Sequence, residues 1–210
     1  MKIFFTRHGE SEANILHEFS NRGLRHPLTQ LGRQQANDLA GRLKNRSIQH
    51  IYSSPVLRAV ETTIIIANHL GIEYEINEAL SEFDVGTLEG RSDEQAWQIF
   101  KELFDSWLHH QQLEQSVEGG ETYYGIRDRF VSFVDQLIIQ YHYSNANLLC
   151  VSHGGLYWMM LPAILENVDL EFIKQKGLDY TALIVSELHS DGLICTEWYS
   201  EKSAGERRRA

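Results

Sequence analysis

The segment IFFTRHGE (residues 3–10) decides the fold class, because a short apolar run ends abruptly in Arg7, His8 and Gly9. An apolar run of strand length at the start of the chain predicts a buried strand. In an open α/β sheet, ligands bind in the crevice beyond the carboxyl ends of the strands. An arginine and a histidine at such an end point to an anion site with a nucleophile or a base beside it. Taken alone, a histidine near a strand end is more often a structural residue, so the rest of the chain has to decide.

Strand patterns and helix patterns alternate along the remainder of the chain. Strands are predicted over residues 2–6, 51–53, 73–76 and 148–152, and helical patterns begin at Thr29, Pro55 and Leu156 and cover residues 94–113 and 122–143. Residues 182–185 and 193–195 flank Asp191-Gly192, a dipeptide typical of hairpin turns. This order predicts a three-layer α/β/α fold with a mostly parallel central sheet and a C-terminal hairpin that adds edge strands.

Length and composition set bounds on organisation and partners. No linker or repeat interrupts the 210 residues, so we interpret residues 1–202 as one domain and residues 203–210 as a disordered tail. No apolar stretch approaches the ~20 residues that cross a membrane, and no signal-peptide pattern is visible, so we expect a cytoplasmic protein. The net charge of -10 argues against nucleic acid and membrane surfaces as partners. Cys150 and Cys195 lie in apolar segments and are interpreted as buried free thiols.

Three predicted strands end in residues suited to phosphate chemistry. The first delivers Arg7 and His8, the second leads through SSP (53–55) to Arg58, and the strand before Gly154 delivers His153. If these strands are parallel and adjacent, two histidines and two arginines meet in one crevice. Guanidinium groups are permanently charged planar forks that match the oxygens of a phosphate.

At these residues the sequence resembles the histidine phosphatase superfamily, which includes the phosphoglycerate mutases. The resemblance covers most of the chain and rests on an ordered set of motifs, which is far more specific than any one of them. The motifs are RHGESEAN (7–14), PLT (27–29), SSP (53–55) with Arg58, LSE (80–82), GGE (119–121) and VSHGG (151–155).

The resemblance implies a role for each matching residue. His8 would be the nucleophile that becomes phosphohistidine, and Glu82 would protonate the leaving oxygen and then activate water. The phosphoryl oxygens would be held by Arg7, Arg58, Asn14 and His153. We assign His153 to the catalytic residues as well. Other interpretations stay open, since Asp84 and Glu89 are carboxylates close to Glu82, and Asn14 could be a turn or cap residue.

These roles are chemically consistent. His8 must attack as a neutral imidazole, and neighbouring guanidiniums lower the pKa of a histidine. Glu82 must begin protonated, so we expect a raised pKa in a partly desolvated position. Because the arginines stabilise a phosphoryl group whose charge spreads over its oxygens, the chemistry needs no metal and no cofactor. His109 and His110 are adjacent on a helix and face different directions, so we interpret them as surface residues rather than metal ligands.

The residues leave the exact reaction open. Mutases hold a doubly phosphorylated intermediate, and the family supplies the extra positive charge in the segment after the glutamate motif. Here that segment, residues 91–118, has only Arg91 and Lys101 as certain cations. It carries instead an aromatic stripe that could line the leaving-group pocket or pack in the core: Trp97, Phe100, Phe104 and Trp107.

We therefore expect a phosphomonoesterase for a small phosphorylated metabolite, with the segment 91–118 capping the site. A cofactor-dependent phosphoglycerate mutase is the alternative, and a non-catalytic phospho-ligand or protein-binding module is a weaker one. Arg22 and Arg25 stand where many relatives carry an acidic residue, and they could reach a second anionic group of the substrate or lie in solvent. The sequence indicates neither the physiological substrate nor the oligomeric state.

Overall fold

Six strands form one sheet in the computed structural model, which describes residues 1–200. They are β1 (Lys2–Arg7), β2 (His50–Ser53), β3 (Tyr74–Ile76), β4 (Asn147–Ser152), β5 (Leu183–His189) and β6 (Gly192–Tyr199). Their spatial order is β3-β2-β4-β1-β5-β6. The first four in this order are parallel, whereas β5 runs antiparallel to β1 and pairs with β6 in a hairpin at the edge. The predicted mostly parallel sheet with a C-terminal edge hairpin is confirmed.

Seven helices connect the strands within residues 1–200. They are α1 (Glu12–Leu16), α2 (Gln30–Leu43), α3 (Leu57–Leu70), α4 (Glu94–His109), α5 (Tyr123–Tyr141), α6 (Gly154–Ile164) and α7 (Leu170–Lys176). Thr29 caps α2 as predicted, since its hydroxyl accepts a hydrogen bond from the Gly32 amide at 3.0 Å. The helix predicted over residues 94–113 ends earlier, at His109, and the one predicted from Pro55 begins at Leu57.

Two hydrophobic cores cover the two faces of the sheet. Ile3 and Phe5 on β1 join one core with the buried faces of α5 and α6, whereas Phe4 between them joins the other core with α2 and α3. This alternation follows from the two-residue period of a strand, because successive side chains point to opposite faces. The helices therefore lie on both faces, and the predicted three-layer α/β/α arrangement is confirmed.

The two cysteines differ in burial. Both are free thiols, but only Cys150 is buried, while Cys195 on the edge strand β6 is partly exposed. The prediction of two buried thiols is therefore right for Cys150 and wrong for Cys195, which packs against the margin of one core and is only partly covered. None of the helices described over residues 1–200 combines the length and the apolar character needed to cross a bilayer. The predicted tail, residues 203–210, lies outside the described residues, and the single-domain interpretation stays a prediction.

The strand order places three carboxyl ends side by side. Arg7 pairs with Ser152 across β1 and β4, and Ser53 pairs with Val151 across β2 and β4. The ladder extends one step further, because the His8 amide donates to the Ser152 carbonyl at 2.9 Å. The residues that follow these strands therefore share one edge of the sheet, where ligands bind in open α/β folds.

Candidate active site

His8 and His153 are the first residues after the neighbouring strands β1 and β4. Both are buried, and their ring centroids lie 5.1 Å apart. The sequence predicted this convergence, and the parallel β1–β4 register is its physical cause.

The hydrogen bonds of His8 fix its tautomer. Nδ1 lies 2.6 Å from the Gly9 carbonyl oxygen, which can only accept, so Nδ1 carries the proton. Nε2 lies 2.9 Å from Nε of Arg58, which can only donate, so Nε2 carries the lone pair. Burial first, and then the charges of Arg58 and Arg7, lower the pKa of His8 well below 6.5. The imidazole is therefore neutral at physiological pH, with the lone pair of Nε2 facing the guanidinium.

The two arginines reach the site from different elements. Arg58 lies in the first turn of α3 and donates through Nη1 to the Ser20 carbonyl. Burial lowers its pKa to about 10, which still leaves it charged near neutral pH. Arg7 ends β1, donates to the Leu178 carbonyl at 2.8 Å and lies with its guanidinium carbon 4.2 Å from the ring centroid of Tyr180. Its Nε is buried and has no hydrogen-bond partner.

His153 offers a second unpaired buried nitrogen. Its Nε2 lies 2.7 Å from the Ser54 hydroxyl, which itself accepts a hydrogen bond from the Val56 amide. When the Ser54 hydroxyl donates to Nε2, the ring proton sits on Nδ1, which is buried without a partner. Burial, followed by the Arg58 charge, lowers the pKa of His153 well below 6.5. Unsatisfied buried N–H groups are costly, and an anion that accepts from both His153 and Arg7 would relieve that cost.

Glu82 lies across the site from these donors. Its carboxylate accepts from the Gly155 amide at 3.0 Å and from the Phe83 amide at 3.2 Å. Burial raises the pKa of the Glu82 carboxyl, although the Arg58 charge opposes the shift. A Cβ at Gly155 would lie 2.8 Å from Oε1 of Glu82, so a side chain there would have to displace this carboxylate. The raised pKa agrees with the expectation for a general acid.

The other nearby carboxylates are engaged elsewhere. Asp84 forms a bidentate ion pair with the exposed Arg22, and Glu89 accepts from the backbone amides of Asn21 and Arg22. Asp84 and Glu89 were the alternatives to Glu82 in the sequence, and neither lines the cavity that contains His8. Within residues 1–200, no three potential metal ligands are grouped so as to hold an ion, and His109 and His110 are exposed as predicted.

A cavity of about 190 Å³ opens in front of His8. Of the six predicted site residues, five line it: Arg7, His8, Asn14, Arg58 and Glu82. Asn14 is also a cap residue, since its Oδ1 accepts from the amide and the hydroxyl of Ser11 at 3.0 and 2.8 Å. The two interpretations of Asn14 are therefore compatible, because its Nδ2 group remains the end that can donate to a ligand.

The aromatic stripe of α4 divides between the cavity and the core. Trp97 and Phe100 line the cavity, whereas Trp107 is buried and Phe104 packs against the core. The sequence did not single out the loop residues Phe19, Ser20 and Asn21 or the ring of Phe83, which line the cavity too. The loop has no periodicity that would mark it, and only its position between two matching motifs hinted at a place near the site.

Comparison with known proteins gives a family match over nearly the whole chain. The family model described as "Histidine phosphatase superfamily (branch 1)" matches residues 3–201. The chain is 29% identical over 180 residues to "Phosphoserine phosphatase 1" of Hydrogenobacter thermophilus, which covers 85% of this chain and 82% of that protein. It is also 29% identical over 171 residues to "Probable phosphoglycerate mutase GpmB" of Proteus mirabilis, covering 79% and 75%. Some relatives are longer, and the chain spans 51% of the length of the Mycobacterium tuberculosis "Bifunctional protein Rv2228c".

Solved structures share the whole architecture. The phosphoserine phosphatase from Entamoeba histolytica, determined in complex with 3-phosphoglyceric acid, superposes with a TM-score of 0.75 at 26% identity, covering 96% of this chain and 98% of that one. The similarity thus extends from β1 to β6 and includes the sheet edge that carries the two histidines.

Proposed function

The chain belongs to branch 1 of the histidine phosphatase superfamily as a phosphatase, and from this premise we propose that it hydrolyses small phosphomonoesters through a phosphohistidine on His8. The observation that carries the proposal is the hydrogen bonding of His8. Its Nδ1–H is held by the Gly9 carbonyl, and its Nε2 lone pair points to Arg58. A neutral, oriented and buried imidazole beside two arginines is the form that phosphoryl transfer requires.

In the first half-reaction, the lone pair on Nε2 of His8 forms the N–P bond while the P–O bond to the leaving group breaks. The protonated Glu82 gives its proton to the leaving oxygen and becomes a carboxylate. Arg58 exchanges its hydrogen bond to His8 for one to a phosphoryl oxygen, and Arg7 and His153 donate their unpaired buried N–H groups. Asn14 adds a donor from the α1 end of the cavity. These fixed charges stabilise the negative charge on the equatorial oxygens.

In the second half-reaction, the Glu82 carboxylate takes a proton from water. The water oxygen forms the new P–O bond, the N–P bond breaks, and the electron pair returns to Nε2 of His8. Glu82 is again protonated and phosphate leaves. The sum is one ester and one water giving one alcohol and one phosphate, so neither a metal nor a redox partner enters the balance.

Phosphoenzyme trapping tests this proposal. Wild-type protein mixed with a ³²P-labelled phosphomonoester and quenched in alkali should retain an alkali-stable, acid-labile label, and the His8→Ala variant should retain none. His189→Ala, a substitution of an exposed histidine on β5, is the matched control and should keep both label and turnover. Undiminished turnover in His8→Ala would show that the nucleophile is misassigned.

The relative named as a mutase calls for a second assay. With a phosphoglycerate and catalytic bisphosphoglycerate, a mutase moves the phosphoryl group between positions, whereas a hydrolase releases phosphate. We expect phosphate release, because Arg22 and Arg25, the candidate anchors for a second phosphate, are bound to Asp84 and Glu18. Isomerisation faster than release would favour the mutase. A protein that binds phosphate esters without label or turnover would be a binding module.

A further inference from the structure

The cavity in front of His8 has two chemically different ends. The end that holds His8, Arg7 and Arg58 suits a phosphoryl group. The other end is walled by four aromatic side chains: Phe19, Phe83, Trp97 and Phe100. All four rings form one cluster, in which the Phe19 centroid lies 4.3 Å from that of Trp97 and 5.1 Å from that of Phe100, and the Phe83 centroid lies 5.8 Å from that of Phe100.

The aromatic wall is held in place. The indole N–H of Trp97 donates to the His17 carbonyl at 2.9 Å, and Phe83 stacks on Phe100 with an angle of 9° between the rings. Trp97 is nevertheless 39% exposed, although it belongs to a cluster of otherwise well-covered rings. A fixed, partly uncovered indole beside an open cavity presents apolar surface that a ligand ring can cover.

Charge around this end disfavours an anionic leaving group. Among the residues that line the cavity, Arg7 and Arg58 are the only arginines, no lysine is present, and both arginines lie at the phosphoryl end. Two arginines of the neighbouring loop lie in ion pairs, Arg22 with Asp84 and Arg25 with Glu18. Glu18 lines the cavity, but its carboxylate is bound by Arg25 and His26. A carboxylate on the leaving group would lose water at this end and gain no cationic partner.

We infer that the site takes phosphomonoesters whose leaving alcohol is uncharged and carries a flat aromatic or heteroaromatic ring close to the ester oxygen. The ring would pack against Trp97 and Phe100 while the phosphoryl group occupies the arginine end. This inference names the substrate class of the proposed reaction and rests on it. It selects against small esters that bear a carboxylate next to the ester carbon.

Binding of two non-hydrolysable probes tests the inference. Benzylphosphonate and phosphonoacetate differ only in a phenyl ring or a carboxylate on the same carbon. Titration calorimetry on the full chain should give a Kd about tenfold lower for benzylphosphonate. Equal affinities, or tighter binding of phosphonoacetate, would overturn the inference. Because neither probe can be hydrolysed, the comparison holds whether or not a phosphoenzyme forms, so a failure of the proposed reaction is seen separately in the labelling assay.

Variants of Trp97 locate the effect. Trp97→Ala should raise the Kd of benzylphosphonate about fivefold and change the Kd of phosphonoacetate by no more than about twofold. Trp97→Phe should restore most of the affinity for benzylphosphonate. Tyr143→Ala is the matched control, since Tyr143 is an exposed aromatic residue that precedes β4, at the sheet edge opposite the site. An equal loss for both probes in Trp97→Ala, or no loss for either, would show that this wall does not select the ligand.

Discussion

The neutral state of His8 makes a quantitative prediction about acid stability. In the folded protein, burial and the charges of Arg58 and Arg7 hold the pKa of His8 well below 6.5. In the unfolded chain the same ring should titrate near ~6.5. Below that pH the imidazole of His8 binds a proton in the unfolded chain but stays neutral in the folded protein. The contribution of His8 to stability is therefore complete above the unfolded pKa and is lost as the pH falls toward the folded pKa.

The size of the effect follows from linkage. One histidine that stays neutral when folded costs about 1 kcal/mol of unfolding free energy between about pH 7 and about pH 5.5. His153, whose pKa is lowered by the same causes, should add a similar amount. Glu82 acts in the opposite direction, because its folded pKa is raised, so the informative quantity is the difference between wild type and variant rather than the total.

Urea unfolding at the two pH values measures that difference. His8→Gln should lose about 1 kcal/mol less unfolding free energy than wild type on acidification, whatever its stability at neutral pH. His189→Gln, an exposed substitution, should track wild type. If His8→Gln and wild type lose the same free energy, then His8 takes up its proton in the folded state and the argument for a neutral resting nucleophile is refuted.

Three further predictions concern the residues around it. Glu82→Gln should lower kcat/KM for alkyl esters by at least about 100-fold and affect nitrophenyl phosphate far less. In wild type the activity on alkyl esters should also fall as the pH rises through the raised pKa of Glu82. Equal losses of kcat/KM on both substrates in Glu82→Gln, or a wild-type activity that does not fall at high pH, would contradict the role of Glu82 as general acid. Ser54→Ala should weaken competitive inhibition by inorganic phosphate about tenfold, because it leaves the tautomer of His153 unfixed, and an unaltered inhibition constant would contradict this positioning role. Gly155→Ala should lower kcat by displacing the Glu82 carboxylate, whereas Gly41→Ala, whose Cβ meets nothing within 4 Å, should be fully active; equal activity of the two variants would count against the close packing.

The sequence predicted the parts of the site that sit at strand ends. Apolar runs that stop at Arg7-His8 and at His153 carry a strong local signal, and the parallel pairing of β1 with β4 converts that signal into proximity. Arg58 was predictable for the same reason, since it follows β2 by a short turn into α3. Local pattern and global topology agree at these positions, so reasoning along the chain was sufficient.

Prediction from the sequence was incomplete where contacts depend on tertiary structure alone. Phe19 reaches the cavity from an irregular loop that is tied to Gly90 and Arg91 by two backbone hydrogen bonds, and no periodicity encodes those bonds. The stripe on α4 has four aromatic residues at intervals of three and four, but only Trp97 and Phe100 face the cavity. Which residues of such a stripe face a cavity depends on how the helix packs against the rest of the chain. The spacing of the aromatic residues does not encode that packing.

One physical effect acts on both the proposed nucleophile, His8, and the proposed general acid, Glu82. Desolvation disfavours charge, so it lowers the pKa of His8 and raises that of Glu82, and it is the largest cause of both shifts. In both groups burial therefore favours the neutral form that the first half-reaction consumes. The Arg58 charge favours a neutral His8 but opposes a protonated Glu82, and a bound phosphoryl dianion offsets that charge. Substrate binding should thus raise the pKa of Glu82 further and keep the acid protonated at the moment when the leaving oxygen needs its proton.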